Sequence, residues 1–252
     1  MMREVFHINP NVAHLESKLK RLLENFDKEG EILVEGGRNV IKKIKVEDTV
    51  LNVKRFKTPS LPQAFIYKFF RKSKAERSFE YATKLLEHGI LTPEPIAYLE
   101  KYSATGLKES FYVSVHLDYD LDFRVLNHTP NYPEREKILR QFAAFTFQLH
   151  ENGINFLDHS PGNTLIVKNG RKYDFYLIDL NRMRFEPMNF DARMKNFQRL
   201  WPSTVMTRIM ADEYAKLYGK SPEETTRKMM KYSRDFQRKK NARKLRKHRK
   251  NK

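Results

Sequence analysis

The window Leu157-Asp158-His159-Ser160-Pro161-Gly162-Asn163 sets a carboxylate five residues ahead of a carboxamide, just before the apolar run Thr164–Val167. On one loop, such a pair can orient a hydroxyl nucleophile and hold a magnesium ion. Asp and Asn also populate ordinary turns, so the spacing alone describes a turn as readily as a site. Asp179 adds weight, because it ends a second apolar run, Phe175–Ile178, that follows the hairpin signal Lys168-Asn169-Gly170-Arg171. A hairpin delivers Asp158 and Asp179 to one end of a strand pair, where the second carboxylate can bridge a metal to a phosphate chain.

Three upstream features would complete a nucleotide site. Lys54 lies in the alternating run Val50–Phe56, where its ammonium could pair the α- and β-phosphates or simply be a solvated strand lysine. Gly36 and Gly37 form a glycine turn between two β-like runs, able to bring backbone N–H groups near phosphate and equally able to be a plain hairpin turn. Glu76 and Glu80 sit in the helix opened by Ser73, and either could pair with Lys54. Glu76 already fills the third position of a capping box with Ser73, so Glu80, one turn further in, is the preferred partner.

The elements that must position these residues follow from periodicity. A helical stretch from Asn11 to Phe26 precedes β-like runs at Glu31–Val34, Asn39–Val46 and Thr49–Phe56, which read as a small antiparallel meander. A segment with prolines at 59 and 62 leads to the Ser73 helix, which Gly89 ends. Extended runs follow from Pro95 and over Phe111–Leu117. Beyond the acidic patch Asp118–Asp122, Pro133–Glu151 is strongly helical, and helices return over Asp191–Leu200, Ser203–Tyr218 and from Pro222 onward. The pattern is α+β, with a β-rich first half and an α-rich second half.

Composition narrows the classes. With 252 residues the chain can bury a real core, and without cysteine it has neither a disulfide framework nor thiolate chemistry. No apolar run approaches eighteen residues and the start lacks the apolar core of a signal peptide, so a cytoplasmic protein is expected. The net charge of +18 is unevenly spread: Arg227–Lys252 carries +13 and the remainder +5. An anionic partner is implied: the first part of the tail, with Met229, Met230, Tyr232 and Phe236, could pack, and the rest reads as a solvated or frayed helix that orders on an anionic surface. A membrane is favoured over nucleic acid, since nothing resembles an RNA-binding motif with stacking aromatics.

Taken in order, Leu149–Ile154, Asp158–Ile166 and Leu177–Arg182 resemble the catalytic and metal loops of the lipopolysaccharide kinase (Kdo/WaaP) family, within the protein-kinase-like fold. Arg71–Glu80 and Gly89–Ala97 are similar to its regulatory helix and following strand, and the resemblance runs from about Gly30 to Trp201. It implies a two-lobed fold: an N-terminal helical extension (1–29), an ATP-binding N-lobe (30–117), a C-lobe with catalytic and metal loops (118–226) and the basic tail (227–252). It further implies an ATP- and Mg2+-dependent kinase acting on a sugar, Kdo or heptose, of the lipopolysaccharide inner core (a lipid A–Kdo precursor), as a peripheral protein on the cytoplasmic face of the inner membrane.

Carried over by position, the resemblance makes Asp158 the catalytic base, Asn163 and Asp179 the metal ligands, Lys54 the phosphate-pairing lysine and Glu80 its helix partner. The run Tyr112–Leu117, with Ser114 and His116, becomes the adenine-holding connection. Three departures stand out: Phe156 where the family has His, Asn181 where it has Gly, and a glycine loop reduced to Gly36-Gly37. Asn tolerates positive φ, so Asn181 is expected to make the sharp turn after the metal loop. Arg182 and His159 flank these loops as candidates for contacting the acceptor or for structural hydrogen bonds. The rival readings are a kinase-like phosphotransferase acting on a protein or another small molecule, and a basic kinase-like protein associated with RNA or the ribosome.

Overall fold

Ile44 and Val46, then Leu51 and Val53, alternate along two runs separated by Glu47-Asp48, and alternation with period two puts them on one face of a hairpin. In the computed structural model, which describes residues 2–36 and 39–250, this hairpin is part of a six-stranded antiparallel sheet. Its strands are β1 (Arg3–Ile8), β2 (Glu31–Gly36), β3 (Asn39–Val46), β4 (Thr49–Phe56), β5 (Pro95–Ser103) and β6 (Gly106–Val115), in the order β1-β5-β6-β4-β3-β2. Strand β1 was not foreseen, because Arg3–Ile8 shows little hydrophobic signal by itself; it is fixed by its pairing with β5, from Arg3 opposite Tyr102 to Ile8 opposite Ala97. The expected N-terminal helical extension therefore begins with a sheet strand.

Three helices accompany this sheet. A 3-10 turn (Pro10–Leu15) runs into α1 (Glu16–Glu24), whose Leu19 and Leu23 join Ile44, Leu51, Phe111 and Val113 in one core. The proline segment, which carried no helical signal, forms α2 (Leu61–Phe69) with Pro62 in its first turn, where a missing N–H does no harm. In α3 (Lys74–Glu87), Ser73 is the N-cap: its Oγ accepts from the amides of Ala75 and Glu76 at 3.0 and 3.1 Å.

The chain divides into two compact units between Asp118 and Tyr119. The second unit contains the short strand β7 (Leu121–Asp122), α4 (Phe123–His128), α5 (Arg135–Glu151), β8 (Ile154–Phe156), β9 (Thr164–Asn169), β10 (Lys172–Leu177) and β11 (Met183–Phe185). It continues with α6 (Phe190–Asn196), a 3-10 turn (Phe197–Leu200), α7 (Thr204–Tyr218) and α8 (Pro222–Lys250). Phe123, Ile138, Phe142, Phe175, Met210 and Tyr214 belong to its core. The acidic patch is divided among separate tasks. Asp118 meets His116 at 3.3 Å, Asp120 accepts from the Lys168 amide at 2.7 Å, and Asp122 caps α4 through the Arg124 amide at 2.8 Å.

Candidate active site

The loop after β8 and the loop after β10 are stitched together by backbone. Strands β9 and β10 pair from Lys172 opposite Asn169 to Leu177 opposite Thr164, and Ile178 N–H donates to the Asn163 carbonyl at 3.0 Å. Strands β8 and β11 pair in turn, and Leu157 N–H donates to the Arg182 carbonyl at 3.0 Å. A hairpin and a two-stranded ladder thus hold residues 157–163 beside residues 178–182, and Asp158, Asn163 and Asp179 come together as the spacing required.

Side chains set the details. The Asn163 carboxamide donates through Nδ2 to the Asp158 carbonyl at 2.8 Å, which fixes the amide's orientation and leaves Oδ1 as its acceptor atom. Asp179 takes a left-handed backbone, φ 57°, and its Oδ1 accepts from Asn181 Nδ2 at 2.8 Å. The sharp turn is therefore made at Asp179 itself. Asn181, expected to bend the chain, is absent from the positive-φ residues and instead braces the Asp179 carboxylate with its side chain.

Asp158 is gripped by arginines. Its Oδ1 is bonded to Nη2 of Arg199, and its Oδ2 lies 3.7 Å from Nη1 of Arg182. Arg199 comes from the 3-10 turn after α6, and its guanidinium stands 5.7 Å from the Phe236 ring of α8. No local pattern marks Arg199 in the sequence; its placement depends on how the turn packs against α8. Arg124 is a second residue the sequence did not single out: a Cβ on Gly162 would fall 1.9 Å from its Nη2, so glycine is what lets this guanidinium lie on the loop.

His159 proves structural. It is fully buried, and its Nδ1 meets Asn196 Oδ1 at 2.8 Å. Asn196 Nδ2 is spent on the Phe156 carbonyl and Asn155 Oδ1, both at 3.0 Å, so Oδ1 must accept and His159 Nδ1 carries the proton. Burial pushes the imidazole down to about 4, which keeps it neutral near pH 7. Phe156, at the position where the family has His, is buried and lies tilted beside His159 with centroids 5.7 Å apart.

The remaining candidates belong to the first unit. Lys54 lies in β4 opposite Ile41 and Tyr112, with its ammonium 5.1 Å from the Phe56 ring. Glu80 in α3 is paired with Lys72, which also reaches Glu76 at 3.4 Å, so the two carboxylates the sequence left as alternatives share a cation. Ser114 is buried in β6 opposite Asn52. The His116 amide donates to the Val50 carbonyl at 2.8 Å, and its Nδ1 is buried without a hydrogen-bond partner among the described residues. Gly36 ends β2 with ordinary φ, and a Cβ there would touch nothing within 4 Å; Gly37 lies outside the described residues.

No cluster of three or more His, Asp or Glu suited to a metal occurs among the described residues. The donors present, Asn163 Oδ1 and the Asp179 carboxylate, are hard oxygens held at one end of a strand pair. They fit a magnesium ion that keeps several waters and phosphate oxygens as its other ligands.

An antiparallel sheet with a capped helix, followed by a helical unit carrying two facing loops, defines the WaaP-like kinase fold. A solved structure described as WaaP in complex with acyl carrier protein matches it with a TM-score of 0.65, over 93% of this chain and 97% of that one, at 17% identity. At that identity the likeness is one of fold. Residues 45–220 match the lipopolysaccharide kinase (Kdo/WaaP) family, and the chain belongs to it. The family is one of ATP-dependent phosphotransferases. No curated protein matches the chain.

Proposed function

We propose that this protein transfers the γ-phosphoryl group of ATP to a hydroxyl of Kdo or heptose in the inner core of lipopolysaccharide, at the cytoplasmic face of the inner membrane. The observation that carries this reading is the bonded loop pair, with Asp158 held by Arg199 and Arg182, and Asn163 and Asp179 offering oxygen at the end of one hairpin. Asp158 orients the acceptor hydroxyl and accepts its proton as the new P–O bond forms and the bond from the γ-phosphorus to the β–γ bridging oxygen breaks, releasing ADP. The two arginines keep the carboxylate in one rotamer and bring positive charge to the site of transfer.

Asn163 and Asp179 would hold Mg2+, which when bound neutralises charge on the phosphate chain. Asn181 keeps the Asp179 carboxylate oriented. Lys54 is assigned to the α- and β-phosphates, Glu80 to the helix that supports it, Ser114 and His116 to the adenine side, and Gly36 and Gly37 to a shallow phosphate cover. For the tail, the exposed basic half of α8 supports recruitment to an anionic membrane: at about 1 kcal/mol per basic residue near the surface, five engaged residues would contribute about 5 kcal/mol.

The test is phosphorylation of a lipid A–Kdo acceptor by the purified protein with ATP and Mg2+, read by mass spectrometry. A gain of one phosphate group that disappears in Asp158→Ala is expected. Wild-type phosphorylation by Asp158→Ala or Asp179→Asn would overturn the assignment. A second reading is favoured by one observation, the acyl carrier protein bound to the solved WaaP. A carrier protein of that kind is a candidate partner for this chain too.

A further inference from the structure

Helix α2 is inverted relative to an ordinary surface helix. Its single buried residue is Ala64, 2% exposed, which sits so close to the sheet that a Cβ on Gly106 would be 2.5 Å from the Ala64 carbonyl. Lys68 Nζ pins the last turn by donating to the carbonyls of Ser103 and Ala104 at 3.1 and 3.0 Å. With the small residue inward, the large apolar side chains point out: Leu61 is 66% exposed, Phe65 51%, Ile66 43%, Phe69 57% and Phe70 78%. The rings of Phe65, Phe69 and Phe70 gather into one ridge, with centroids 4.7 to 6.5 Å apart.

Single exposed apolar residues are ordinary, but five within ten positions of a firmly seated helix form a patch that marks an interaction surface. Its charge identifies the occupant. Lys57, Lys68, Arg71, Lys72 and Lys74 flank the ridge, and no carboxylate occurs from Lys57 to Ala75. Lys72 is matched by Glu76 and Glu80, which leaves Lys57, Lys68 and Arg71 without a paired carboxylate among the described residues. An apolar ridge bordered by basic residues, with no carboxylate in its own segment, is the signature of a helix lying in a lipid interface, with rings at the acyl boundary and cationic groups at the phosphates. Nine residues are too few to cross a bilayer, and no helix among the described residues is long and apolar enough to do so.

We propose that the outward face of α2 docks this protein on an anionic lipid bilayer, with Phe65, Phe69 and Phe70 entering the interface and Arg71 meeting lipid phosphates. This adds an apolar contact in the first unit to the electrostatic one assigned to α8. Its purpose rests on the reading of the acceptor as a membrane-held lipid. Its test does not, because vesicle binding is measured without ATP or acceptor.

The full chain is floated with vesicles of phosphatidylcholine alone or mixed with phosphatidylglycerol. Binding to the mixed vesicles is expected, with a loss of about tenfold or more in the Phe69→Ser/Phe70→Ser double variant. These side chains are exposed, so its thermal midpoint and ATP turnover should stay at the parent's values. In a separate Phe70→Trp variant, the added indole emission should shift to the blue on mixed vesicles and be quenched by bromine-labelled acyl chains, a response that binding through α8 alone does not produce. Unchanged partition of the double variant, or an unshifted indole on vesicles that do bind the protein, overturns the proposal. So does a concentration-dependent dimer in sedimentation that the double variant abolishes, which would make the ridge an interface between copies.

Discussion

Arg199 donates to the carboxylate of Asp158, and Phe236 of α8 stands against the same guanidinium. Arg199 is thereby a positioning residue for the proposed base. Replacing it by Ala frees the carboxylate to rotate, and a misplacement of about 1 Å costs on the order of 10²-fold in rate. Arg199→Ala should lower kcat by about 10- to 100-fold with little change in KM for ATP. Lys keeps the charge but not the planar fork, so Arg199→Lys should recover only part of the loss. Asp158→Ala should cost about 10²- to 10⁴-fold. An Arg199→Ala enzyme with parental kcat would show that the pair is incidental.

The Asn163 carboxamide has two roles to fill, with Nδ2 on the Asp158 carbonyl and Oδ1 as the acceptor proposed for the metal. Asn163→Ala removes a proposed metal ligand and a loop tie together, and Asn163→Asp loses the Nδ2 donor while keeping an oxygen. Magnesium titrations of ATP turnover should show the half-saturating concentration rising by about 10- to 100-fold in the alanine variant and less in the aspartate variant. Asn181→Ala, which removes the brace on Asp179, should raise it as well.

Two buried histidines make stability depend on pH. Burial pushes His159 down to about 4 and His150 to about 3, against about 6.5 in an unfolded chain. Between pH 6.5 and about 4 the unfolded chain takes up protons that the folded chain refuses. Stability is therefore full above pH 6.5 and falls as pH drops through this window, by about 2 kcal/mol per histidine at pH 5. Urea midpoints measured from pH 7.5 to pH 5 should fall accordingly, and His150→Gln should flatten the slope by its share. A flat profile would contradict the burial.

Lys42 is a structural lysine. It is 5% exposed, and its ammonium donates to the carbonyls of Phe26, Asp27 and Glu29 at 2.7, 3.1 and 2.9 Å, closing the chain after α1 onto β3. Lys42→Met keeps the length of the side chain and leaves three carbonyls without their donor. A loss of about 3 kcal/mol in urea unfolding is expected, with no specific effect on the Mg2+ dependence of turnover.

The basic tail must be cut at the right place. Thr225, Met229 and Ser233 of α8 are buried, and Tyr232 and Lys228 reach Asp191 at 2.9 and 2.7 Å. Removing residues 227–252 would therefore open the second unit. A cut after Arg238 removes only a stretch that is exposed at every described position. It should leave the thermal midpoint and turnover on a soluble acceptor unchanged, while affinity for anionic vesicles falls and loses much of its salt dependence. If the cut leaves vesicle binding intact and abolishes tight RNA binding, the tail's partner is RNA.

The α+β order was legible because its signals are local. Alternation gave β3 and β4 at their observed bounds, Ser73 and Gly89 bracketed α3, and Lys168–Arg171 marked the turn between β9 and β10. Strand β1 and helix α2 were missed because neither has a period of its own. One exists through pairing with β5, the other by seating Ala64 over Gly106.

The site divides in the same way. Residue type and order along the chain were enough to nominate Asp158, Asn163 and Asp179 as candidates, and the loops that carry them are joined by one hairpin, so that local geometry alone brings them near one another. Which side chains hold those groups was decided by packing between segments distant in sequence. Arg199 reaches Asp158 from 41 residues away, Asn196 fixes His159 as a neutral structural residue, and Phe236, in the part of the tail that could pack, supplies the ring behind Arg199. Hydrogen-bond partners and burial are properties of the assembled core, and no spacing along the chain encodes them.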